Sequence, residues 1–405
     1  MPERATLVIS HNEGVDVNME PSAQRTDDSH EQAFNPFPWY EQMRRDAPAW
    51  VDPTSGVLSV FRYDDVQRAL SDYEAFSSDR SPRDASSALN ASLISSDPPR
   101  HRQLRNLVTQ AFTPRAIAQL APRISAIIDE LLALVAAAGR MDFIADLADP
   151  LPVIVIAEML GIPASERVQF KRWSDAIVAT TDGGLTFMEA QREMARFFSG
   201  LIAERTTEPR DDLISHLIAA EIDGERLTPI ELIGFCVLLL VAGNETTTNL
   251  LGNAILCFDE QPEVYERLRV QHDLIPSAIE EVLRYRSPVQ SMFRTATGAT
   301  DLGGVFTRAG QPVVAWIGSA NRDEARFPDA HVFDITRTPN RHLAFGHGIH
   351  FCLGAPLARL EARLALEALT TRFRDIRRIP DAPIRWMESS IVYGVKNLPI
   401  TFTPS

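Results

Sequence analysis

Lysine is almost missing from this chain. Lys171 and Lys396 are the only two in 405 residues, so nearly all of the 40 cationic side chains are arginine. Against 54 acids they leave a net charge of −14, which rules against the basic, phosphate-tracking surface that a nucleic-acid partner needs. Arginine forks match carboxylates, so ligands or partners bearing carboxylates stay open. Cysteine is scarce as well: Cys236, Cys257 and Cys352 cannot all pair and form no C-x-x-C, which excludes a disulfide framework and a zinc site. Long apolar runs are lacking too. The longest, Phe235 to Gly243, is too short to span a bilayer, so no membrane association is expected. Residues 1–30 have neither a basic start with an apolar core nor a small-residue cleavage site, and read as a disordered lead-in to a cytoplasmic protein. No Gly/Ser-rich linker or repeat divides the remainder, so residues 31–405 are expected to form one domain.

What is present is mostly helical, with strands near both ends. The expected fold is mainly α with a small β region. Ala49 to Phe61 reads as two short strands about a Pro/Gly turn, and the Ser-rich Ser77 to Ser96 as a mobile loop. Asp97 is placed to cap a helix running through "RHRQLRNLVTQAF". Thr228, Pro229 and Glu231 form a capping box with proline at the first helical position. The helix they open is apolar almost all round as far as Phe258, about 45 Å at 1.5 Å per residue, and belongs in the centre of the molecule. "SAIEEVLRYRSP" is a further capped helix, stopped by Pro288. The stretch from Leu302 to Asp323 reads as strands and turns, and Ser389 to Phe402 as a terminal hairpin.

Three constellations carry chemistry. Ala242 to Thr247, "AGNETT", puts Gly243, Glu245 and Thr246 into the middle of the apolar helix. A buried carboxylate is costly unless it is paired or functional. An acid beside a hydroxyl supplies the parts of a proton relay, and Gly243 leaves room for a group to approach the backbone. Glu281 and Arg284 share one helix face at i, i+3, the spacing of a common surface ion pair. Cys352 stands before a helix with a stripe of Leu353, Leu357, Leu360 and Leu364. Gly346, Gly348 and Gly354 strip side chains from around the sulfur. A helix N-terminus there is expected to lower the thiol pKa. A small buried cysteine and a cysteine nucleophile remain open on these residues alone.

Together, F-G-x-G-x-H-x-C-x-G (Phe345 to Gly354), A-G-x-E-T-T (Ala242 to Thr247) and E-x-x-R (Glu281 to Arg284) follow the order of one family. The chain resembles the cytochrome P450 family, in its soluble bacterial members, from about Pro36 onward. The resemblance implies that Cys352 is the axial thiolate of haem b, a ligand that favours O–O cleavage. It implies His101, Arg105, Arg294 and His350 as propionate contacts, with Ala242, Gly243, Phe345, Gly346 and Gly354 also against the haem. Glu281 and Arg284, completed by Arg337, become a lock that holds the fold. Thr246 and Glu245 become the catalytic pair that delivers protons to oxygen.

By the same resemblance Leu93, Ile94, Leu238, Val241, Val289, Met292, Ile391 and Val392 face substrate. All are apolar, which fits a terpenoid, steroid, fatty acyl chain or macrolide precursor; Arg80 and Arg83 would hold a carboxylate if there is one. The implied reaction is insertion of one atom of O2 into a C–H bond. No ferredoxin-like or flavin segment exists in the chain, so ferredoxin and ferredoxin reductase are the expected electron donors. Arg100, Arg102 and Arg359 are the expected docking arginines. A peroxide-driven peroxygenase and a non-catalytic haem protein are the alternatives, and the acid–threonine pair argues against both.

Overall fold

A computed structural model describes residues 8–9, 17–18, 35–79, 92–178, 187–222 and 224–405. Of the expected lead-in only Val8–Ile9 and Val17–Asn18 are described, as a short antiparallel pair. Arg80 and Arg83 lie outside the described residues, and the Ser-rich stretch is described only at its two ends.

The central helix runs Pro229–Glu260, opened by the expected capping box: the Thr228 hydroxyl accepts from Glu231 N while the Glu231 carboxylate accepts from Thr228 N. It is long and apolar enough, by length and composition, to cross a bilayer, contrary to the reading from its longest apolar run. Here its buried side chains, from Leu232 to Phe258, form the middle of the main core. Burying each Leu, Ile or Phe of this set contributes roughly 1.5–3 kcal/mol. Against it packs Pro150–Met159, with Leu151, Val153, Val155, Ile156 and Ala157 all buried. Ala121–Val135 and Ala355–Arg372, the helix after Cys352, join the same core. In that last helix Leu357 is buried but Leu360 and Leu364 are only partly so, and Leu353, half-buried, precedes its first residue. The fully buried face is Ala362, Ala365, Leu366 and Leu369.

Strands form two main sheets. The larger has the order Ala49–Val51, Leu58–Val60, Pro312–Ala315, Met292–Ala296, Phe76–Ser77. Pro312–Ala315 lies parallel to Leu58–Val60 and antiparallel to Met292–Ala296, with Val313 opposite Arg294. The smaller places Pro399–Pro404 between Phe373–Arg378 and Arg140–Asp142. The expected terminal hairpin is therefore not formed: the last strand completes a sheet with distant partners, and before it only Val289↔Val392 and Trp386↔Val395 bridges occur.

Three local expectations change. Asp97 is no side-chain cap; Pro99 precedes Arg100–Ala111, and the Asp97 carboxylate is engaged by Ser77 and Ser78. The lock helix begins at Ile275, two residues before Ser277, and ends at Tyr285. Ile317–Ala320 is a short helix rather than strand or turn.

Candidate functional site

The loop from Phe345 to Gly354 turns twice through left-handed glycines, Gly346 at φ 72° and Gly348 at φ 71°. A side chain at Gly348 would also collide with the Ser71 backbone, its Cβ 2.7 Å from Cα. Cys352 N donates to Phe345 O at 2.9 Å, which closes the loop and sets the sulfur before Ala355–Arg372. Burial raises the thiol pKa, and the N–H groups of Gly354 and Ala355 with Arg105 and Arg359 oppose the rise without reversing it. The helix terminus lowers the thiol as expected, through those N–H groups, but desolvation outweighs it. Coordination to a metal cation deprotonates such a thiol outright. Cys236 and Cys257 are buried within the central helix, their thiols pushed well up by burial.

Four side chains from three separate elements converge beside this loop. His101 and Arg105 come from Arg100–Ala111, Arg294 from the larger sheet, and His350 from the cysteine loop. The imidazoles of His101 and His350 meet edge to face with centroids 4.3 Å apart. Burial, followed by Arg105, lowers His101 to about 4. Burial, followed by His101, Arg294 and Arg105, lowers His350 to about 3. Each ring has a buried Nε2 without a partner among the described residues. Asp97, the carboxylate whose charge reaches His101, is already held by Ser77 and Ser78. Two guanidiniums and two unpaired imidazole nitrogens form a cradle for an anion.

On the central helix, Thr246 Oγ1 donates to Ala242 O at 2.7 Å. Burial raises Glu245 to about 7, and its Oε1 has no partner among the described residues. Ala242 is exposed, with Glu245 and Thr246 partly so, and at 100° per residue these three share a face with Leu238 and Val241. Gly243 is turned elsewhere. The position of a Cβ there lies 2.7 Å from Ile156 Cδ1, so the room this glycine leaves is filled by a neighbouring helix rather than open to a cofactor. Nothing in the sequence marked Ile156, because the contact is long-range.

The apolar positions divide. Val289 bridges Val392, Gln290 N donates to Ile391 O at 2.7 Å, and Tyr393 N donates to Pro288 O at 2.8 Å, so Val289, Ile391 and Val392 are brought together. Met292 begins the adjoining strand, half-buried. Leu93 is buried in the main core, whereas Ile94 beside it and Ile391 are exposed.

The Glu281–Arg284 pair is no surface contact: both side chains are 0% exposed. Arg284 Nε and Nη2 donate to the two Glu281 oxygens at 2.9 and 2.7 Å. Arg337 Nε (3.2 Å), Asn340 Nδ2 (3.0 Å) and Asp334 N (2.9 Å) donate to the same carboxylate. Asn340 was not evident from the sequence. Neighbouring Glu280 takes Arg359 at 2.7 and 2.8 Å. Burial alone would raise Glu280, but Arg359 and His342 hold it down to about 2.

A lone cysteine sulfur in a glycine-turned loop, a basic cradle beside it and an acid–hydroxyl pair on a long buried helix define a thiolate-ligated cofactor protein of mainly α fold. The comparisons name its family. The Cytochrome P450 family profile matches residues 148–378. A putative cytochrome P450, YjiB of Bacillus subtilis, is 48% identical over 374 residues, covering 90% of this chain and 93% of that one. Substrate-free CYP109E1 of Bacillus megaterium superposes with TM-score 0.88 at 46% identity, covering 92% of this chain and 100% of that chain. Its complex with testosterone gives 0.87 at the same identity, covering 92% and 99%. The chain belongs to the cytochrome P450 family. It is a haem-thiolate monooxygenase, an oxidoreductase whose family binds haem b. The residues fit that group: the two Nε2 atoms, unpartnered among the described residues, and the positive charge of the cradle guanidiniums match a dianionic cofactor, and one half-buried cysteine stands beside them.

Proposed function

We propose that this enzyme oxidises a neutral hydrophobic small molecule, of terpenoid, steroid, fatty acyl or macrolide type, and that Cys352 would supply the thiolate that holds haem b. Haem b supplies O2 binding and the O–O cleavage that thiolate ligation promotes. In this reading His101, Arg105, Arg294 and His350 would hold the propionates, and Ala242, Phe345, Gly346 and Gly354 would line the haem site. Glu245, poised near neutral pH, passes protons to the Thr246 hydroxyl, which directs them to the oxygen side of the site. Apolar side chains above that pair exclude water and orient the substrate by shape. Ferredoxin and its reductase supply electrons, and the cytoplasm is the expected compartment.

The observation that carries the substrate class is the set Leu238, Val241, Val289, Met292, Ile391 and Val392, which offers no charged partner to a ligand. The testosterone complex of CYP109E1 supports the steroid arm. Titrating the holoenzyme with steroids, terpenoids, fatty acids and macrolides should give a Soret shift with neutral members. With ferredoxin, reductase and NADPH, the binder should return one oxygen atom heavier. Shifts confined to charged compounds, or NADPH consumption unchanged by every binder, contradict the reading.

A further inference from the structure

We infer that Ile156, on the helix Pro150–Met159, is a positioning residue for the Thr246 hydroxyl. The inference rests on Thr246 being the group that steers protons. Thr246 Oγ1 bonds to Ala242 O, so its direction follows the carbonyl of the Ala242–Gly243 peptide. Intrahelical bonding does not alone set where that peptide lies. A Cβ on Gly243 would stand 2.7 Å from Ile156 Cδ1 and 3.7 Å from Ile156 Cγ1. The terminal methyl therefore rests against the glycine, and Ile156, at 1% exposure, is enclosed by the main core. Beyond this point the central helix is tethered to the same region. Thr248 Oγ1 donates to Ala148 O at 3.0 Å, and a Cβ on Gly252 would stand 2.9 Å from Ile144 Cδ1. The glycine permits the close approach, and the Ile156 methyl acts as the stop that fixes its depth. Interiors are packed densely enough that such a stop is felt by one methyl group.

A size swap tests this. Ile156→Val removes Cδ1 and leaves a gap beside Gly243. Gly243→Ala alone drives a methyl into Cδ1. In the double variant the new Cβ faces the remaining Cγ1 at 3.7 Å, an ordinary van der Waals contact. Urea midpoints of the four holoproteins read the contact itself. Gly243→Ala should lower the midpoint beside isoleucine and raise it beside valine, where only the helix preference of alanine is left.

Coupling reads the positioning role: hydrogen peroxide released per NADPH oxidised, with ferredoxin and reductase. The probe is testosterone or lauric acid, whichever gives the larger Soret shift. An ~1 Å misplacement of a reacting group costs up to about 100-fold, so the smaller shift in Ile156→Val should raise the ratio about threefold. Probe affinity and the carbon monoxide band should stay unchanged, and the double variant should return the ratio to wild type. A purely structural role would move the midpoints and leave the ratio alone. Thr246→Ala separates the two claims. If it does not raise peroxide release, the reading of Thr246 falls. If it does, while Ile156→Val keeps the wild-type ratio or the double variant stays uncoupled, the inference about Ile156 is overturned by itself.

Discussion

His101 and His350, from opposite ends of the chain, stand edge to face at 4.3 Å, each with a buried Nε2 lacking a partner among the described residues. Burial, with Arg105 beside both rings and Arg294 beside His350, presses the two imidazoles toward the neutral form, and the guanidiniums that do so favour an incoming anion. Haem propionates would be such an anion. Charge-assisted hydrogen bonds contribute roughly 1.5–3 kcal/mol each, so Arg105→Ala or Arg294→Ala should speed haem transfer to apomyoglobin about ten- to hundredfold. Unaltered transfer rates in both variants would place the propionates elsewhere.

Glu245 predicts a pH dependence. Burial lifts it to about 7, so it carries its proton below neutrality and loses it above. Turnover with saturating substrate should decline as pH rises past about 7. Glu245→Gln removes a general acid and should slow turnover about ten- to hundredfold while flattening that limb. Steady-state rates across pH 6–9, at fixed ionic strength, check both outcomes.

Glu361 is a buried acid outside the proton pathway proposed above. It lies on the helix after Cys352, 1% exposed, with Oε2 unpartnered among the described residues, and burial raises it from 4.5 to about 8. The folded chain keeps this proton where the unfolded chain has lost it. Its contribution to stability is therefore fully present below about 4.5 and is lost as pH rises through about 8. Glu361→Gln keeps the neutral shape and should reduce the loss of stability between pH 5 and 8 by on the order of 2 kcal/mol. Urea unfolding at the two pH values measures it, and equal losses in both proteins would contradict it.

Much of the site was legible because its signals are local. The cysteine loop, the acid–threonine pair and the capping box each lie within a few residues, where glycine placement and helix patterning speak directly. What stayed hidden is set by contacts between distant segments. Glu281 and Arg284 alone have the spacing of a surface pair; the family resemblance supplied the lock and Arg337, which the structure bears out, whereas Asn340 and the Asp334 amide, folded back from about 50–60 residues away, stayed hidden. Gly243 reads as room for a cofactor until Ile156 is seen to fill it. Pro399–Pro404 reads as half of a hairpin, yet its partners include Arg140–Asp142. For the Cys352 thiol, the lowering by the helix terminus is visible in sequence, and the desolvation that outweighs it is not.

The expected docking patch narrows to one residue. Arg100 Nε donates to Glu231 at 2.7 Å, and Arg359 is held by Glu280 with its guanidinium 4.4 Å from the Phe345 ring centroid. Neither is a free charge. Arg102 is exposed on the same helix as Arg105. Against an acidic ferredoxin, Arg102→Glu should slow the first electron transfer about tenfold and leave substrate affinity unchanged, and added salt should slow the wild type. Stopped-flow reduction insensitive to both charge reversal and salt would move the docking face away from this helix.

The assignment of Cys352 as the haem ligand underlies every step above, and the carbon monoxide difference spectrum of the reduced protein tests it most directly. Cys352→His should abolish the thiolate-type band, while Cys236→Ala and Cys257→Ala, which touch only thiols buried in the central helix, should retain it. A thiolate-type band that survives in Cys352→His would contradict the account.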